Sequence, residues 1–169
     1  MENHIKNNFR LRQLPKYAKL ACAVFVLALS VGYFTGLAFV FHTETTTPVG
    51  LEENYNGNDD NLETMEMKFK KSPREMLTII HTHVLSISLI FFTLGLLLFF
   101  SEVPKSVKSF LLVEPYISIL LTFGGIYLLW CGFGFMAYVV LVSGVLMTLS
   151  YVISVLYIAK ELWLASVRY

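Results

Sequence analysis

Residues 115–159 read PYISILLTFGGIYLLWCGFGFMAYVVLVSGVLMTLSYVISVLYIA. No Asp, Glu, Lys or Arg occurs in that stretch. A membrane-spanning helix needs about 20 mostly apolar residues, so the run is too long for one crossing and suits two. Cys131-Gly132-Phe133-Gly134 divides it, because two glycines within three residues favour a turn. The division predicts spans over 115–131 and 135–158. The ten-residue segments of alternating polarity that mark a membrane β-barrel are absent.

Working outward, two more runs free of Asp, Glu, Lys and Arg appear, Leu20–Phe41 and Met76–Ser101. They predict spans over 20–41 and 76–100. The fold class that follows is all-α: an antiparallel bundle of four transmembrane helices. It forms one integral membrane domain over 1–169, with a single external loop, 43–75, between the first and second spans. Composition agrees. Apolar residues make up 56% and charged residues 15%, with a mean hydropathy of +0.63. Soluble domains average about 45–50% and about 25%. The net charge of +1 gives no electrostatic basis for a nucleic-acid partner. The lipid bilayer is the expected partner, together with other membrane subunits or a second copy of the chain.

The first span follows a basic segment, as a signal peptide does. It exceeds the usual 7–15-residue apolar core, and Phe39-Val40-Phe41-His42 lacks the small residues of a cleavage site, so it is read as a retained helix. Basic residues favour the cytoplasmic side. With both termini inside, only Lys68, Lys70, Lys71 and Arg74 of the chain's 13 Lys and Arg lie outside. The expected location is the inner (plasma) membrane, with both termini cytoplasmic.

Local signals mark two helix starts. Ser72-Pro73-Arg74-Glu75 is a capping-box pattern with proline in the first turn, which gives Glu75 a structural reading. Pro115, preceded by Glu114, predicts that the third helix begins there, after an interfacial segment over 106–113. Glu114 then caps that helix, or serves a proton or ion role at membrane depth. The 43–75 segment reads as turns and coil, with a tight turn at Asn56-Gly57 and a short strand or surface-lying segment over Glu63–Lys71, where apolar and charged residues alternate.

The main functional signal is His81-Thr82-His83, the ionisable pair inside the second span, with Thr78, Ser86 and Ser88 around it. Polar residues in a span imply a use or a set of partners. Residues i and i+2 point about 200° apart on a helix, so the two histidines cannot chelate one metal from a regular helix. Two stripes result. One runs Thr78, His81, Thr82, Leu85, Ser88, Phe92 and Gly95, and it is favoured as inward-facing because Ser88 and Gly95 permit close helix approach. The other runs Ile79, His83, Ser86, Ile90, Thr93 and Leu97. Three readings compete. His81 or His83 ligates haem b or a transition metal, the metal set drawing also on His42 with Glu44 or Glu75. Alternatively they form a quinol or proton-handling site. In the third reading they only make helix-packing hydrogen bonds. Cys22 and Cys131 lie on opposite sides of the membrane, which excludes an intramolecular disulfide and leaves both as small packing residues. Gly124-Gly125 and Gly144 read as close-packing points.

The segment Ser72–Leu77 leading into Thr78–His83, with Ser86 and Ser88, resembles small uncharacterised bacterial four-helix inner-membrane proteins that carry a T-x-H-x-H core on helix two. Here Ile80 replaces the threonine. The resemblance covers about the last 100 residues and implies no activity. Four-helix respiratory proteins of the cytochrome b561-like group are similar in outline, but they use facing histidine pairs that this chain lacks.

No nucleophile elbow, phosphate loop or paired-carboxylate motif is present, which leans away from an enzyme. The expected function is an accessory or redox-linked subunit with a histidine-based haem, metal or quinol contact near the outer face. The alternative is a non-catalytic interaction or assembly subunit. A small transporter or channel is a third class, with only the histidines and Glu114 to line a pathway.

Overall fold

The computed structural model describes residues 10–58 and 67–164. His4 and part of the alternating Glu63–Lys71 segment, Met65 included, lie outside the described residues. Among the described residues five helices carry the fold: α1 (Lys16–His42), α2 (Pro48–Asn56), α3 (Pro73–Phe99), α4 (Lys105–Trp130) and α5 (Met136–Leu164). A 3₁₀ turn, Leu11–Gln13, precedes them. α1, α3, α4 and α5 are each long and apolar enough to cross a membrane. At about 1.5 Å per residue they reach roughly 40 Å, past the hydrocarbon core of about 30 Å. The glycine turn at 131–134 is present, with Gly132 at φ +102°.

The third helix differs from expectation. α4 starts at Lys105 and runs unbroken through Pro115. The 106–113 segment is therefore its first turns, not an interfacial strip, and Glu114 is interior, not a cap. In lipid an interrupted backbone leaves unpaired N–H and C=O groups, so the helix continues and gives up one hydrogen bond at the proline. The start of α3 matches the local signals: Ser72 accepts from the Glu75 backbone, and Glu75 accepts in return from Ser72 N at 2.7 Å.

α4 and α5 make the most extensive pairing, with α3 packed next on α4. Half of the most apolar stretch of α4 is buried, against 6% of that of α1. α1 stands at the periphery and reaches α5 through Tyr33, whose ring stacks on Tyr151 at 3.8 Å between centroids. A Cβ on Gly125 meets Val140 Cγ2 at 2.9 Å, and one on Gly95 meets Leu112 Cδ2 at 3.1 Å, so these two glycines set close helix approach. Gly124 and Gly144 face open space.

The segment between α1 and α3 is more ordered than coil. Thr47 caps α2, Pro48 opens it, and Gly57 ends it at φ +89°. Asn56-Gly57 is thus a helix end, not a tight turn. Gly57 instead bridges Phe69 in antiparallel sense; among the described residues this isolated bridge stands where a strand was expected. α2 lies over the α4–α5 turn: Asn56 Nδ2 donates to Leu129 O at 2.9 Å, and Trp130 Nε1 donates to Lys71 O at 2.8 Å. Burial pushes the Tyr55 phenol above its ordinary pKa. At the opposite end, Leu11 N donates to Phe100 O at 2.8 Å, and Arg10 and Arg12 both pair with Glu102. Lys108 Nζ donates to Phe99 O and Ser101 O, satisfying carbonyls at the end of α3.

Candidate functional site

Two polar features stand out in an otherwise apolar bundle. The first is a seam between α4 and α5. Glu114, Ser118 and Thr122 recur every four residues on one face of α4, the spacing that stacks side chains along a helix. Ser143, Ser150 and Ser154 face them from α5. All six are buried. Ser118 Oγ donates to Glu114 Oε1 and Ser150 Oγ to Glu114 Oε2, so each carboxyl oxygen has a hydroxyl. One turn on, Thr122 Oγ1 and Ser143 Oγ lie 2.7 Å apart. Ser154 Oγ is buried without a partner among the described residues. The seam reaches α1 through Tyr151 OH, which donates to Ser30 Oγ at 3.1 Å, and Tyr33 OH, which donates to Thr148 Oγ1 at 3.3 Å. Among the described residues Glu114 has no ion pair. Buried carboxyls are tolerated where hydrogen bonds replace water, and the two serines supply them. Of the seam, the sequence marked Glu114 by its charge and Ser143 only as the neighbour of the packing point Gly144. Ser118 and Thr122 on α4 and Ser150 and Ser154 on α5 carried no signal beyond the helical stripe each set shares.

The second feature is the outer surface of α3. Its inward face is Met76, Ile80, Val84, Ile87, Phe91, Leu94, Gly95 and Leu98; it follows neither of the two expected stripes, and of the favoured one only Gly95 lies fully buried on it. His81, Thr82, His83 and Ser86 are exposed, and Ser88 is half-buried. Packing selects the branched apolar face because it fills the groove against α4; in a span whose two sides are both apolar, polarity does not choose the side. His81 and His83 flank that face on opposite sides, as the i, i+2 spacing requires. The His83 ring lies 5.2 Å from that of Phe123 on α4. Its Nδ1 sits 2.7 Å from Ile79 O. A carbonyl only accepts, so Nδ1 carries the proton and Nε2 is left outward without a protein partner among the described residues. His81 has no polar partner among the described residues. Ser86 Oγ donates weakly to His83 O at 3.4 Å.

His42 ends α1 and is exposed, and Glu44 pairs with Lys68 at 3.7 Å. Glu75 is engaged in its capping box. Among the described residues no three His, Cys, Asp or Glu side chains gather into a metal-holding group. Both cysteines are free; Cys131 is exposed at the α4–α5 turn and is not a packing residue.

Residues 45–168 match a family model, Aq_1264_TM, described as a transmembrane helical domain. The matched segment covers α2 to α5 and leaves α1 outside. No curated protein and no solved structure matches the chain.

Proposed function

The chain belongs to the Aq_1264_TM family of transmembrane helical domains, and from that premise we propose that it is a non-catalytic interaction or assembly subunit of the inner membrane, docking a polar helix of another membrane protein against the outer surface of α3. One observation carries the reading. His81, Thr82, His83 and Ser86 are exposed on a membrane-spanning helix, where lipid offers hydrogen-bonding groups no partner. Interhelical hydrogen bonds from such residues are a main source of helix association in membranes. The excess of Lys and Arg in the segments before α1, between α3 and α4 and at the end of α5 supports a cytoplasmic placement for both termini.

The test uses the full chain in native membranes with a photo-crosslinking residue at Thr82, compared with one at Val145 on the lipid side of α5. A discrete adduct at Thr82, absent at Val145 and lost in His81→Leu, supports the docking face. Equal labelling at both sites, or none, overturns it.

A second reading is favoured by the His83 ring. Anchoring Nδ1–H on a carbonyl and leaving Nε2 free is how protein-bound histidines are prepared for metal or haem. On that reading His83, or His81 across the helix, offers one ligand, and a neighbouring subunit completes the haem, metal or quinol contact. A visible spectrum of the purified protein, oxidised and reduced, with metal analysis of the same sample, tests it. A chromophore lost in His83→Ala supports it, and a colourless, metal-free assembly containing the docked partner rejects haem and metal.

A further inference from the structure

Between α1 and α5, at the end of the bundle where α1 begins and α5 ends, lies a groove of about 1190 Å³. Its walls are Leu20, Ala23 and Leu27 from α1 and Val155, Ala159 and Leu162 from α5. Its mouth carries Arg12, Gln13, Lys16 and Lys19. Arg12 is held by Glu102 at 2.9 Å. Lys16 and Lys19 have no ion-pair partner among the described residues. The inner end closes at Val26 and Ser30, where α1 returns to α5 and Tyr151 holds Ser30.

We propose that this groove is a binding site for one anionic phospholipid of the bilayer, its phosphate met by Lys16 and Lys19 and an acyl chain laid between α1 and α5. Three features select that occupant. The mouth is cationic and the walls are apolar, which is the polarity order of a lipid entering from its headgroup side. Basic pockets between transmembrane helices suit anionic headgroups. Depth agrees as well: from Lys16 to Ser30 α1 rises roughly 21 Å, enough for one leaflet of a core about 30 Å thick. Trp163, exposed at the mouth, lies at the level where aromatic side chains meet headgroups. A lipid here also accounts for how a helix as little buried as α1 is held against the bundle. The inference does not depend on what docks on α3.

The test is lipid retention by the full-length protein in detergent, read by native mass spectrometry and by thermal shift on adding phosphatidylglycerol or phosphatidylcholine. Retention of one phosphatidylglycerol in preference to phosphatidylcholine is expected. Lys16→Gln with Lys19→Gln should weaken phosphatidylglycerol on the order of tenfold and leave phosphatidylcholine unchanged. Ala23→Phe keeps the charges, fills the groove and should abolish retention. Lys105→Gln, at the same end but outside the groove, should change nothing. The charge variant leaves the core untouched and the shape variant leaves the charges untouched, so either decides if the other fails to fold. Equal retention of both lipids overturns the proposal. So does phosphatidylglycerol binding that survives both variants, or a crosslink from Ala23 showing a second copy of the chain in the groove.

Discussion

Glu114 brings a carboxyl group into the bundle interior, and two serine hydroxyls take the place of its water. Removing either hydroxyl leaves a buried acceptor unpaired, and membrane hydrogen bonds of this kind are worth about 0.5–1.5 kcal/mol. Ser118→Ala and Ser150→Ala should each lower stability by about that amount in reversible detergent unfolding. Glu114→Ala should lower it further, because it strands both hydroxyls and opens a void against Ser150. Once Glu114 is alanine, Ser150→Ala removes a stranded hydroxyl and should cost nothing further or recover part of the loss, and this non-additivity is the measurement that separates a coupled network from three independent side chains. At this scale the sequence was partly legible. Glu114 drew notice as an acid at membrane depth. Its neighbour Pro115 then misplaced it, because a proline preference for first turns is a local rule and the helix around it obeys the bilayer's demand for an unbroken backbone. The histidines were legible as residues but not as directions. Their angular separation follows from the helix, whereas the face that turns inward is fixed by how Ile80, Val84 and Ile87 fit against α4.

Elements meet at a few points where only a missing side chain allows the approach. Gly57 ends α2 at φ +89°, and a Cβ there would stand 2.8 Å from Lys68 O and Lys70 N, both backbone atoms. Gly57→Ala combines strain with a clash that no side-chain rotation relieves. It should cost about 1–3 kcal/mol and loosen α2 from the α4–α5 turn, seen as faster amide exchange at Asn58 and Lys71 with the spans unaffected. Gly125 differs, because its nearest neighbour is the Val140 methyl tip, 2.9 Å from a built Cβ. Gly125→Ala should therefore destabilise by about 1–2 kcal/mol, and Val140→Ala in the same chain should recover most of that loss. α2 was hidden in the sequence by its Asn and Glu content, which reads as coil. The signals that define it were nonetheless present: Thr47 at the cap, Pro48 in the first turn and Gly57 just past the end.

For the molecule as a whole, the number of crossings was legible because it depends only on the length of charge-free chain, not on any contact between spans. How tightly each span is held was not, since α1 is as apolar as the others and yet is scarcely buried. The two ends of the bundle carry different groups. One gathers the start of α1, the end of α5, Glu102 and the basic mouth of the lipid groove; the other gathers α2, Lys70, Trp130 and Cys131. Orientation therefore decides which leaflet supplies the lipid. Cys131 reports it, being exposed at the second end, whereas Cys22 sits half-buried within α1. In intact cells a membrane-impermeant maleimide should label Cys131 in a Cys22→Ser chain and leave Cys22 unlabelled in a Cys131→Ser chain. That pattern puts α2 outside and Lys16 and Lys19 at the cytoplasmic surface, the leaflet whose anionic headgroups they suit. Labelling of Cys131 only after lysis would invert the bundle. The four basic residues beside α3 would then face the cytoplasm, and the groove would have to draw its lipid from the outer leaflet.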